Sequence, residues 1–100
     1  METTGFLDSA ESALRDLERD RAEVIRLCDL EEDEARRWER RAMFAVAGQH
    51  EQVARDALSH REVHAGAERR YRDEAETIRV AIESYRSAIE DFRRRHEMNA

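Results

Sequence analysis

The side chains best suited to chemistry in this chain are four histidines, one cysteine and a large set of carboxylates. His60 and His64 stand four residues apart, so on a helix both rings share one face, a spacing that can hold a metal ion. Glu31, His64 and Glu68 would meet if the chain folded back near residue 49, with Glu34 and Cys28 beside them. Two opposed glutamates repel unless one is protonated, an arginine bridges them or a cation joins them. Glu31, His64 and Glu68 are therefore the candidate metal ligands. Di-iron hairpins of the ferritin-like kind use Glu-x-x-His. None of the histidines has it, because Ala47, Ala57, Arg61 and Arg93 stand three residues before His50, His60, His64 and His96. A polar layer that fixes register suits these residues better, and no cofactor is expected.

Catalytic readings find less support. There is no phosphate-binding glycine loop, no nucleophile elbow and no Cys–His pair of clear geometry. Cys28 falls on a helix seam opposite Tyr71, which predicts a small core residue rather than a reactive thiol. The acidic run Glu31-Glu32-Asp33-Glu34 reads as solvated surface. The expectation is a protein that is not an enzyme.

Composition points to the elements that must position these groups. The chain has 100 residues, no proline and 3 glycines, and 42% of it is charged. Ala, Glu and Arg are abundant, and all are good helix formers. A mean hydropathy of -0.94 leaves no stretch near the ~20 apolar residues of a membrane span. The first five residues carry no basic or apolar signal pattern, and a lone cysteine cannot close an internal disulfide. A reduced, cytoplasmic setting follows. Residues 1–34 hold 12 acids and 4 arginines, a balance of -8, whereas residues 35–100 hold 12 acids and 14 arginines, or +2. A net charge of -6 argues against nucleic acid as a partner. Runs such as Arg93-Arg94-Arg95 read as solvated helix surface.

Alternating steps of three and four from Leu7 visit Ala10, Leu14, Leu17, Arg21, Val24, Cys28, Glu31, Ala35, Trp38, Ala42 and Ala45, a heptad seam. The step fails at Gly48. It resumes at Ala54 and runs through Ala57, Arg61, His64, Glu68, Tyr71, Ala75, Ile78, Ile82, Tyr85, Ile89, Phe92 and His96. Two helices are predicted, near 7–47 and 51–97, with a turn at 48–50. The fold class is all-α, a single domain over 1–100 in which two long antiparallel helices form a coiled-coil hairpin. Gly48 is placed at the C-cap, where glycine adopts the left-handed conformation. If Ala45 faces Ala54, opposed residue numbers sum to 99, so Trp38 faces Arg61, Ala35 faces His64 and Leu7 faces Phe92. The hairpin core is then Leu14, Leu17, Val24, Trp38, Ala42, Ala45, Ala54, Ala57, Tyr71, Ile78, Ile82, Tyr85, Ile89 and Phe92.

One flank of this seam carries Glu11, Glu18, Glu32 and Glu39 on the first helix and Arg72, Arg79, Arg86 and Arg93 on the second. Antiparallel packing sets acids along arginines, which acts against wrong registers more than it adds stability. The other flank mixes charged positions such as Asp20, Glu34, Arg41, Glu74 and Arg95 with small or apolar ones, which dominate toward the free ends. It offers Phe6, Ala13, Leu27, Ala67, Ala81 and Ala88, with Leu30 and Val63 nearby. A single seam is little core for a chain of this size. This second stripe is therefore expected to pack against another copy or a related helical protein, building a helical bundle or larger assembly.

Near the turn, alanines face alanines and the helices approach closely. Trp38, one layer back, fills the gap where spacing opens, with the Arg61 guanidinium placed to stack on it. Trp38, Ala42, Ala45, Gly48, Val53-Ala54-Arg55, Ala57 and Leu58 resemble, ungapped over about 25 residues, the hairpin turn of the phage shock protein A and vesicle-inducing protein in plastids family, part of the ESCRT-III-like superfamily. The resemblance covers the hairpin region only. It implies a hairpin that polymerises and serves as a protein-binding surface in membrane-stress response, with peripheral attachment to the inner face of the membrane. Family members begin with a membrane-binding amphipathic helix. Here only Met1–Gly5 precede the seam, and Phe6–Leu17 is amphipathic but net acidic, which predicts weak attraction to anionic lipid. The leading expectation is a non-enzymatic scaffold or regulatory hairpin that self-associates. The alternative is a ferritin-like metal-binding hairpin that becomes a four-helix bundle on dimerisation.

Overall fold

A computed structural model describes residues 2–98; Met1, Asn99 and Ala100, which the single-domain reading includes, lie outside them. The described residues form two helices, α1 over Glu2–Ala47 and α2 over Glu51–Met98, with no strand among them. The fold is an all-α hairpin. Helix α1 begins ahead of the expected Leu7, since nothing in Glu2–Gly5 breaks a helix except one glycine, and a single glycine costs only about 1 kcal/mol. Among the described residues no helix is long and apolar enough to cross a membrane.

The turn departs from expectation in one respect. Gln49, not Gly48, takes the left-handed conformation, with φ of 62°. Gly48 N–H still donates to Phe44 O at 3.0 Å, as in the helix body. Gln49 N–H then donates to Val46 O at 3.0 Å and His50 N–H reaches back to Ala45 O at 2.8 Å. Those two bonds make a Schellman cap with its left-handed residue one place later than the glycine. His50 also opens α2, its carbonyl accepting from Ala54 N–H at 3.0 Å. A Cβ on Gly48 would lie 3.0 Å from His50 Cδ2, so the glycine makes room for that ring. Glu51 stands in the first turn of α2, favourable for the helix dipole, and pairs with Arg55.

The chain divides into two compact units. One is the turn unit, Val24–Glu74. In it Val24, Cys28, Ala42, Ala45, Ala54 and Ala57 are buried, and Trp38 and Tyr71 are half-buried. The other is the arm unit, the N-terminal arm through Glu23 with the C-terminal arm from Ala75. Here Ala10, Ala75, Ile82 and Ile89 are buried, while Leu7, Leu14, Leu17, Ile78 and Phe92 are half-buried. Arg21, half-buried on the seam of this unit, donates from Nε to the Ala75 carbonyl at 3.3 Å. Among the described residues, six of the ten buried apolar ones are alanine. Each alanine removes little apolar surface from water, so the chain's own core is thin.

Every seam position of α1 from Leu7 to Ala45 is buried or half-buried. On α2 two seam residues are not: Tyr85 is 39% exposed and His96 lies at the surface. Tyr85, expected in the core, instead forms part of a groove wall.

Candidate functional site

In the turn unit, α1 and α2 bring the candidate ligands together in a different pairing from the one expected. His64 Nδ1–H donates to Glu31 Oε2 at 2.6 Å, and both side chains are half-buried. Glu68 forms an ion pair with Arg72 one turn on. Cys28 Sγ–H donates to the Glu68 carbonyl at 3.5 Å rather than packing only on Tyr71. Burial pushes the Cys28 thiol up from its ordinary value, with Glu68, Asp29 and Glu32 adding to the shift and Arg72 opposing it. A thiol held protonated is a poor nucleophile. Among the described residues no three His, Cys, Asp or Glu side chains converge as a metal site.

Trp38 is stacked, but not by Arg61. The His60 ring lies 4.1 Å from the indole with planes inclined by 16°, and the Arg41 guanidinium sits 4.5 Å over the ring. Arg61 is drawn to carboxylates instead, Glu62 at 2.9 Å and Glu39 at 3.8 Å. The reason is charge. A guanidinium with two acids in reach gains more there than on an indole face, and the neutral-capable imidazole takes the vacated place.

The expected ladder of acids along arginines exists in the arm unit, where Arg93 pairs with Glu11, and Arg86 with Glu18 at 3.3 Å. At other positions of the flank, in both units, local partners prevail. Arg79 is held by Glu76 and Glu83, Arg72 by Glu68, and Glu32 by Arg36, all on their own helices.

The second stripe is largely at the surface. In the arm unit Phe6 is 47% exposed, Ala88 is exposed, and Ala13 and Ala81 are half-covered. In the turn unit Leu30 is 49% and Val63 67% exposed, with Leu27 and Ala67 half-covered. The arm-unit part of the stripe forms a groove of about 410 Å³, floored by Ala10 and walled by Phe6, Ser9, Ala13, Ser84, Tyr85 and Ala88. Phe6 is braced from below by Phe92, ring centroids 4.7 Å apart. The groove is apolar and bounded by two aromatics, with no charged side chain in its lining.

Two features were missed from the sequence. Ser9 and Ser84 line the groove from positions beside the stripe, and their small size on both helices is the signal that marks it. Near the turn, Phe44 is 78% exposed, and Met43, Val46 and Val53 are exposed around it. The run Met43-Phe44-Ala45-Val46 lies half off the seam, which is how it could have been found. No family model, curated protein or solved structure matches the chain.

Proposed function

We propose that this chain is a non-enzymatic helical hairpin that works by self-association and protein–protein contact, as a scaffold or regulator resembling the coiled-coil core of the phage shock protein A family. The observation that carries the reading is the apolar groove of the arm unit. An alanine-rich core leaves the hairpin short of buried apolar area, and a second helical protein laid in the groove supplies it. The family resemblance adds a setting: membrane stress, in the cytoplasm or at the inner face of the membrane. The turn-end apolar patch at Phe44 is compatible with a peripheral contact there.

Sedimentation of the purified chain tests the reading. A concentration-dependent mass above that of the monomer is expected. The Ala81→Arg, Ala88→Arg double variant should keep its helicity and lose association by at least about tenfold, since it puts two unpaired charges into an apolar contact. Association that is unchanged in this variant, or absent in the parent chain, removes the proposal.

A further inference from the structure

We infer that the turn unit opens locally at α2 about Gly66, and that this opening bares the Cys28 thiol without unfolding the hairpin. The inference starts from a gap in the core. Among the described residues of the turn unit, α2 has no buried side chain beyond Ala57, and α1 has none between Cys28 and Ala42. Three successive seam positions of α2 in this gap are polar. Arg61 and Glu68 are held by ion pairs, and His64 bonds Glu31. Segments with few buried apolar contacts are the ones that open most readily.

Gly66 lies inside this gap, between Ala65 and Ala67. Nothing in the closed structure calls for a glycine there. Its φ is not positive, and an added Cβ would meet the ends of the Arg70 and Arg69 side chains at 3.6 and 3.8 Å, which is ordinary contact. What the glycine does change is the open state, because it gives up more conformational freedom than any other residue when it enters a helix. Opening at this point releases two cross-helix links. One joins Cys28 Sγ to the Glu68 carbonyl at 3.5 Å, and the other joins His64 to Glu31 at 2.6 Å. Ala42, Ala45, Ala54 and Ala57 stay packed beside the turn.

The rate at which iodoacetamide alkylates Cys28, followed against urea, tests this. An opening confined to one segment exposes little new surface, so the rate in low urea should be nearly flat before it joins the steep limb of global unfolding. Gly66→Ala should lower that flat rate about fivefold, the ~1 kcal/mol by which alanine is favoured in a helix interior taken at ~1.4 kcal/mol per tenfold. Circular dichroism should show the variant as helical as the parent. A rate that climbs from zero urea with the full slope of global unfolding overturns the inference. So does a flat rate that Gly66→Ala leaves unchanged.

Discussion

The imidazole of His60 stacks on the indole of Trp38 at 4.1 Å, in the place expected for the Arg61 guanidinium. His60→Ala should therefore cost about 0.5–1.5 kcal/mol, the usual range for an aromatic pair. Arg61→Ala, which removes partly exposed ion pairs, should cost less than about 1 kcal/mol. Urea denaturation of the two variants gives the ranking, and the reverse order would restore Arg61 as the stacking partner.

That substitution of one neighbour for another shows what periodicity can and cannot reach. A heptad seam names the layer, and the buried alanines at 42, 45, 54 and 57 fall where it places them. It does not choose among the residues around each knob. Trp38 has both His60 and Arg61 within its layer, and the choice depended on Glu39 and Glu62 drawing the arginine away. The same competition broke the expected ladder at Arg72 and Arg79, whose glutamates one turn along are reached with less ordering of side chains than a cross-helix partner. The stripe was legible as a set of residues, whereas the groove was not, because its depth comes from two serines whose role only the packed arms reveal.

The left-handed residue at the turn is a glutamine. A non-glycine residue there costs roughly 1 kcal/mol that glycine avoids, so Gln49→Gly should stabilise the hairpin by up to about 1 kcal/mol. Gly48→Ala should be close to neutral or mildly destabilising, since its φ is ordinary and the one tight approach of the new Cβ, at 3.0 Å, is to the His50 side chain. Thermal melts of both variants check this; a large loss from Gly48→Ala with no gain from Gln49→Gly would put the left-handed turn at Gly48.

Glu31 and His64 form a half-buried pair within the alanine-rich seam. Removing one partner strands the other, so Glu31→Leu alone and His64→Leu alone should each destabilise by about 1–3 kcal/mol. The double Leu variant should recover most of that loss or exceed the parent. Chemical denaturation of the four chains measures the coupling. Strictly additive losses would mean that the pair is not an energetic unit.

Cys28 gives the chain a dependence on alkaline pH. Its thiol is held above the ordinary value of 9.0 chiefly by burial, so the folded state favours the protonated form relative to the unfolded state. Below the ordinary value both states are protonated and the contribution is fully present. As pH rises past it, the unfolded thiol ionises first and stability falls, until the folded thiol ionises too. The parent chain should therefore lose stability across this alkaline window faster than Cys28→Ala, which keeps the tyrosines and arginines but has no thiol to titrate. Native Cys28 should likewise react with iodoacetamide far more slowly than the same cysteine in urea. Equal alkaline slopes for the two chains would show that burial does not hold the proton on this sulfur.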